Sequence, residues 1–136
     1  MSAGYSGTPL VDKLGFKAGH RACYVNPPEH FDELLGELPD GVVVRAELNG
    51  SPLDMIICFT TQRRLLQQRL KGLRRAMKPE AMLWIAWPKK AAKVETDMTE
   101  DVVREIALPT GLVDVKVCAI DETWSGLKLV IRKELR

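Results

Sequence analysis

Side chains suited to binding a small ligand follow three apolar segments of this sequence. They are Asn26 after residues 21–25, Thr60 and Thr61 after residues 53–59, and Lys89 and Lys90 after residues 81–87. If these segments are parallel strands, their carboxyl ends share one edge of a sheet, which is where open α/β sheets bind ligands. The amide and hydroxyl groups would form hydrogen bonds, and the ammonium groups would attract a phosphate or a carboxylate. We therefore expect a small anionic ligand at this edge.

The same residues also have a purely structural interpretation. Thr61 is placed to cap a following helix, Asn26 is placed to cap a turn, and exposed lysines keep a protein soluble. The pattern alone leaves both interpretations open.

Residues 121–126 connect two apolar segments. They include a large aromatic residue and two carboxylates, although a short polar turn would be enough to connect the segments. Asp121 and Trp124 are the types that binding surfaces use, and we add them to the candidate site. The alternative is that Trp124 covers the edge of the sheet while Asp121 bonds to the backbone of the turn. Asp121 and Glu122 do not form a catalytic carboxylate pair, because neighbours on an extended chain point to opposite faces.

A helix predicted over residues 61–78 carries seven basic residues and no acidic residue. At 100° per residue, six of them share one face beside a stripe of leucines. These six are Arg63, Arg64, Lys71, Arg74, Arg75 and Lys78. The face would suit nucleic acid or an acidic protein partner, and a solvated helix face is the alternative. No aromatic residue is interleaved for base stacking, and the net charge is only +2, so nucleic acid is not the favoured partner.

Several classes of site are excluded by missing motifs. No two glycines are spaced as G-x-G, and no phosphate-binding G-x-x-x-x-G-K-[ST] loop is present. His20 and His30 do not have a metal-ligand spacing, so they are expected to be solvated or capping side chains. We predict no cofactor motif, no metal site and no assigned catalytic residue.

Cysteine placement and apolar run lengths favour the cytoplasm. Cys23, Cys58 and Cys118 are far apart and each lies in an apolar segment, which is typical of reduced, buried thiols. The longest apolar run, residues 81–87, is far shorter than the roughly 20 residues of a membrane span. The first residues lack the features of a signal peptide.

The composition and the order of elements predict one α/β domain over residues 1–136, with residues 1–8 loose. With 136 residues and 46% hydrophobic residues, the chain is large enough for a single core. The predicted helices cover residues 9–14, 29–35, 61–77 and 99–108, and the predicted strands cover residues 21–25, 42–44, 53–59, 81–87, 113–120 and 127–132. This order indicates a three-layer sandwich with a mostly parallel sheet and an antiparallel pair at its C-terminal edge. Asn49-Gly50 leaves open a hairpin between the second and third strands.

Several segments resemble a known fold and a known family. The segments KAGHR at 17–21, LDMII at 53–57 and MKPEAMLWIA at 77–86, with the closing strand pair, resemble the Rossmann-like methyltransferase fold. The segments YSGTPL at 5–10, WPKK at 87–90, EDVVRE at 100–105 and DETWSGL at 121–127 are similar to a small bacterial family of unknown function. The resemblance implies a fold and no activity.

The turn after the first strand departs from the methyltransferase pattern. Methyltransferases of this fold carry an acidic residue and a glycine-rich turn there, whereas this chain reads Val25-Asn26-Pro27-Pro28-Glu29. The prolines remove two backbone donors, so we do not expect S-adenosylmethionine to bind in the usual way. The expected function is a non-catalytic binding or accessory module. The alternatives are a methyltransferase-like or other transferase acting on an anionic small molecule, and a nucleic-acid-binding protein that uses helix 61–78.

Overall fold

A computed structural model describes residues 7–136 of the chain. The predicted loose segment therefore lies outside the described residues, apart from Gly7 and Thr8. These two residues are exposed and belong to no helix or strand.

A six-stranded sheet forms the middle layer. Its strands are β1 (Arg21–Val25), β2 (Val43–Arg45), β3 (Leu53–Phe59), β4 (Met77–Pro88), β5 (Leu112–Ala119) and β6 (Trp124–Ile131). Their order in the sheet is β2-β1-β3-β4-β6-β5. Strands β1 to β4 pair in parallel, while β6 is antiparallel to both β4 and β5. The predicted mostly parallel sheet with an antiparallel C-terminal pair is confirmed.

Helices cover both faces of the sheet. They are α1 (Leu10–Leu14), α2 (Phe31–Leu35), α3 (Arg63–Ala76) and α4 (Glu100–Ala107), and short 3₁₀ turns lie at Lys90–Ala92, Leu108–Thr110 and Lys133–Leu135. Leu14 of α1 and Phe31 of α2 join one buried cluster, whereas Leu66 of α3 and Val103 of α4 join another on the opposite face. The two clusters make the three layers that the sequence predicts, with α2 and the basic helix α3 on opposite faces of the sheet.

The alternative hairpin between β2 and β3 is wrong. Strand β2 pairs in parallel with β1, with Arg21 opposite Val43. The Asn49-Gly50 segment instead lies in the loop that returns to β3, where the Arg45 guanidinium donates to the carbonyl of Asn49 at 2.9 Å. A bond from the Arg45 cation to a loop carbonyl thus replaces the strand pairing that a tight turn would have made.

Strand β4 begins earlier than predicted. It starts at Met77, which lies in register with Leu53 of β3, so α3 runs directly into the strand with no loop between them. Lys78 is therefore a strand residue, and its ammonium forms an ion pair with Asp54 at 2.9 Å. Pro79 is accepted within the strand because β6 pairs with β4 only from Leu83 onward. On that side, the start of β4 has no neighbouring strand that would need an N–H from Pro79.

Strand β6 begins at Trp124, three residues earlier than the predicted start at residue 127. Asp121 closes a tight turn ahead of it, so Trp124 lies opposite Pro88 of β4. Other boundaries shift by one or two residues. The predicted cap of α4 is confirmed, because the Thr99 hydroxyl accepts a bond from the Val102 N–H at 3.1 Å.

Candidate functional site at the carboxyl edge

The predicted ligand-binding residues lie along one edge of the sheet. Strands β1, β3 and β4 are direct neighbours, so Asn26, Thr60 and Lys89 follow strands that end side by side. Asn26 is exposed with φ 56, whereas Thr60 is only 1% exposed. Asn26 is therefore accessible from solvent, whereas Thr60 is not.

Thr60 bonds to the backbone rather than facing an open site, whereas Thr61 lines a cleft of about 540 Å³ with Gln62 and Asp97. The Thr60 hydroxyl donates to the Gln62 carbonyl at 3.0 Å and accepts from the Gln62 N–H at 3.2 Å. Thr61 does not cap α3, because Gln62 occupies the cap position. A carboxylate oxygen of Asp97 accepts from the Arg63 N–H at 2.7 Å and takes the place of a cap. The start of α3 is thus already neutralised by an acid.

The Asp121 carboxylate accepts several hydrogen bonds at this edge. Its Oδ1 accepts bonds from the N–H groups of Thr123 at 2.8 Å and Trp124 at 2.7 Å, while Oδ2 contacts His30 Nε2 at 2.9 Å. Burial opposes ionisation, but the bonds from His30, Trp124 and Thr123 outweigh it and hold the pKa of the Asp121 carboxyl below its ordinary value. The carboxylate is thus ionised and fixed in orientation.

His30 is a candidate site residue that the sequence analysis missed. We expected a solvated or capping side chain, but its Nε2 bonds to Asp121, 91 positions away. The His30 side chain is 52% exposed while that of Asp121 is 14% exposed. In the neutral imidazole, a bond donated from Nε2–H to the carboxylate leaves the lone pair on Nδ1, and Nδ1 has no hydrogen-bond partner within residues 7–136. The only cue was that His30 follows β1 at the ligand-binding edge.

Lys89 joins the same cluster. Its ammonium donates to the Asp121 backbone carbonyl at 2.7 Å, and its N–H donates to the Thr123 carbonyl at 2.8 Å. An ammonium group keeps two further donors after making one bond. Lys89 therefore places positive charge beside the paired Asp121 and His30.

Lys90 points to a separate depression. It lines a cleft of about 410 Å³ together with Trp87, Met98, Thr99 and Glu100. The volume is within the range of small-molecule sites, about 300–1,000 Å³. His30 and Asp121 do not line this cleft, so the structure separates Lys90 from the cluster that holds Lys89.

A row of aromatic rings lies beneath the cluster. Tyr24 contacts Phe31, Phe31 contacts Phe59, and Phe59 contacts Trp124, with edge-to-face ring centroids 4.9, 4.9 and 5.1 Å apart. Trp124 thus covers Phe59, as the structural alternative for this residue predicted. Burial, followed by the charge of Asp32, raises the pKa of Tyr24 to about 12, so its phenol stays protonated.

S-adenosylmethionine does not fit the turn after β1 in the way that the methyltransferase resemblance implies. Pro27 and Pro28 have no N–H to donate. Helix α2 has only five residues and begins at Phe31, whose ring packs against Phe59 rather than leaving space at the strand end. Glycines at this turn would let the backbone approach a cofactor closely. This chain has two proline rings there instead, and they supply no backbone N–H groups.

The basic face of α3 is smaller than predicted. Lys78 lies on β4 and pairs with Asp54, and Arg63 pairs with Glu105 of α4 at 2.7 Å. The predicted face wrongly included Lys78 because its helical spacing continued past the true end of α3. The residues of the predicted face that remain on α3 without a carboxylate partner among the described residues are Arg64, Lys71, Arg74 and Arg75.

Within residues 7–136 the structure contains no group of three or more His, Cys, Asp or Glu side chains that could hold a metal ion. Cys23 and Cys58 are buried, Cys118 is half-buried, and all three are free. In the same part of the chain, none of the helices has the length and apolar character needed to cross a membrane.

Comparisons with solved structures return several methyltransferases. A SAM-dependent methyltransferase from Aquifex aeolicus is 21% identical, with 90% of this chain and 88% of that chain covered and a TM-score of 0.60. The N-methyltransferase NodS from Bradyrhizobium japonicum is 11% identical, with 90% and 93% covered and a TM-score of 0.63. Fibrillarin from Aeropyrum pernix, solved with natively bound S-adenosyl-L-methionine, is 12% identical, with 93% and 70% covered and a TM-score of 0.57.

No protein-family model and no curated protein matches the sequence. The likenesses therefore concern the fold, in which the parallel strands and the closing antiparallel pair are shared over most of the chain. This chain has the Rossmann-like fold of the SAM-dependent methyltransferases.

Proposed function

We propose that this chain is an enzyme that binds a small anionic molecule at the carboxyl edge of β1, β3 and β4 and removes a proton from it with His30. The observation that carries the proposal is the half-exposed imidazole held by a fixed carboxylate, with 2.9 Å between His30 Nε2 and Asp121 Oδ2. An acid that orients a histidine through one ring nitrogen leaves the other nitrogen as a general base.

The bonds around Asp121 support its role as the group that positions His30. One oxygen is held by two backbone N–H groups, so the carboxylate cannot rotate away from the imidazole without losing them. An ionised Asp121 also stabilises the imidazolium that forms when Nδ1 takes a proton. His30 would act as the base and Asp121 as its positioning residue.

Lys89 supports the choice of an anionic substrate. Its ammonium lies against the Asp121 carbonyl at 2.7 Å, where it would attract a phosphate or carboxylate toward the imidazole. A substrate O–H or N–H held there would transfer its proton to Nδ1 of the neutral His30 imidazole, which becomes an imidazolium while the substrate oxygen or nitrogen becomes a nucleophile. This chemistry suits the transferases that share the fold, and the donor of the transferred group is left unassigned because S-adenosylmethionine does not fit the turn after β1.

The competing function is a non-catalytic binding or accessory module. A module of that kind would need a ligand at this edge but no oriented proton acceptor. The pair of His30 and Asp121 therefore favours the enzyme, and the comparison with methyltransferases points the same way.

The test is a search for turnover in a small-molecule extract. Wild-type protein, His30→Gln and the control Glu33→Gln are incubated with the extract, and compounds that appear or disappear are measured by mass spectrometry. Glu33 is exposed on α2, three residues from His30, so its variant controls for general damage. We expect wild type and Glu33→Gln to convert an anionic compound at similar rates, and His30→Gln to be about 100-fold slower or more.

A lack of turnover by the wild type, with a ligand detected in its native mass spectrum, would favour the non-catalytic module. Equal rates for wild type and His30→Gln would remove His30 from the mechanism. Glutamine can retain a bond to Asp121, so a loss of rate would not be explained by a lost tether between the two loops.

A further inference from the structure

Two lysines face each other at the C-terminal end of the sheet. Lys116 of β5 lies directly opposite Lys128 of β6 in the antiparallel register. Lys128 is also in register with Trp84 of β4, which belongs to the buried cluster beneath α1. Both lysines therefore lie on the α1 face of the sheet. Like charges directly opposite each other on neighbouring strands are destabilising, so this pairing calls for a reason.

A third lysine adds to the same charge. Partial burial, followed by the nearby charges of Lys116 and Lys17, lowers the pKa of Lys128. No carboxylate within residues 7–136 forms an ion pair with any of these three lysines. The three ammonium groups thus repel one another.

Lys17 also lines a cleft on the surface. This cleft lies at the amino edge of the sheet, opposite the edge that holds His30, and has a volume of about 610 Å³. Its other lining residues include His20, Met82 and two carboxylates, Asp54 and Glu80. The charge of Asp54 is matched by its ion pair with Lys78, which also lines the cleft. The His20 Nδ1 accepts a bond from the Lys17 N–H at 3.2 Å, so Nε2 carries the proton and is a donor.

We propose that Lys17, Lys116 and Lys128 form a second anion site, which binds the phosphate group of a small organic phosphate whose body enters the amino-edge cleft. A bound phosphate offsets the repulsion among the three lysines. The cleft has the volume of a small-molecule site and offers both the His20 donor and the apolar surface of Met82. This site is independent of the proposed function, because it lies at the other edge of the sheet.

Ribose 5-phosphate and inorganic phosphate serve as the probes, with binding measured by calorimetry at constant ionic strength set with NaCl. We expect ribose 5-phosphate to bind more tightly than inorganic phosphate, because only the former reaches into the cleft. Lys116→Gln should weaken ribose 5-phosphate binding at least fivefold. The control Lys71→Gln, an exposed lysine of α3 on the opposite face, should change binding by less than twofold.

The variant Lys116→Glu separates this site from general charge effects. An acid opposite Lys128 replaces repulsion by attraction, so the ligand-free protein should melt a few degrees higher, about 2–5 °C, while ribose 5-phosphate binding is lost. Lys128→Gln repeats the binding test should the substituted strand fail to fold.

Equal weakening by Lys71→Gln and Lys116→Gln would overturn the proposal, as would unchanged binding in Lys128→Gln. A phosphate on a lipid has the same chemistry, so sedimentation with phosphatidic acid vesicles forms a separate arm. We expect no co-sedimentation, and vesicle binding without ribose 5-phosphate binding would also contradict the proposal.

Discussion

Replacement of Asp121 tests the construction of the carboxyl edge. Asp121→Ala removes three bonds, two from the backbone N–H groups of Thr123 and Trp124 and one from His30. A bond to a charged acceptor contributes about 1.5–3 kcal/mol and an ordinary bond about 0.5–1.5 kcal/mol. Since water can reach part of the freed groups, we expect a total loss of about 2–4 kcal/mol. That is a large share of the 5–15 kcal/mol typical of a folded domain.

Asp121→Asn is the matched comparison. The amide oxygen can still accept from the two backbone N–H groups, so only the charge and the carboxylate bond to His30 are lost. We expect a cost of about 1 kcal/mol. Urea unfolding measures both variants. With a slope of about 2 kcal/mol/M, the alanine variant should unfold at a urea concentration about 1–2 M lower than wild type, with the slope unchanged.

The pH dependence follows from the lowered pKa of Asp121 in the folded state. The ionised carboxylate stabilises the fold above the ordinary pKa of 3.8, and this contribution declines as the pH falls below it toward the folded-state value. The difference in the free energy of unfolding between wild type and Asp121→Asn should therefore be largest at pH 7 and become smaller toward pH 3. Equal costs for the alanine and asparagine variants, or a gap that widens in acid, would refute this reasoning.

Three further predictions concern other parts of the molecule. Gly126→Ala should cost about 1–3 kcal/mol in urea unfolding, because an added Cβ would lie 3.1 Å from both the Ile120 Cδ1 and the Trp84 Cε3 atoms; a neutral result would mean that these side chains can move aside. Calorimetry with S-adenosylmethionine should give no dissociation constant below about 10 μM, roughly −7 kcal/mol, and tighter binding would show that the proline turn accepts the cofactor. Duplex DNA should bind weakly at about 150 mM salt in an anisotropy titration, and submicromolar binding that is lost on replacing the basic residues of α3 by glutamine would contradict this.

The fold was predictable because most elements carry their own periodicity. The apolar run Leu53–Phe59 and the leucines of α3 define a central strand and a packed helix without tertiary information. The predicted ends of strands were wrong where pairing with a neighbouring strand overrides the local sequence signal. Pro79 reads as a break, yet β4 starts before it because Met77 pairs with Leu53.

The sequence predicted where the candidate site lies, but it did not identify His30 as one of its residues. Neighbouring parallel strands bring Asn26, Thr60 and Lys89 to one edge, and that follows from strand order alone. The contact between His30 and Asp121 did not follow, because it joins loops 91 positions apart. This contact depends on the tight turn before β6. The sequence analysis placed the start of β6 three residues too late, at residue 127 instead of Trp124.

The tautomer of His30 is the most direct test of the proposed base. A long-range ¹H–¹⁵N spectrum of the neutral histidines distinguishes a protonated ring nitrogen from one with a lone pair. In wild type we predict a proton on Nε2 and a lone pair on Nδ1. In Asp121→Asn the amide must present its NH₂ group to His30, because its oxygen serves the backbone, so the proton should move to Nδ1. The same Nε2-protonated form in both proteins would mean that Asp121 does not orient His30, and this would contradict the account.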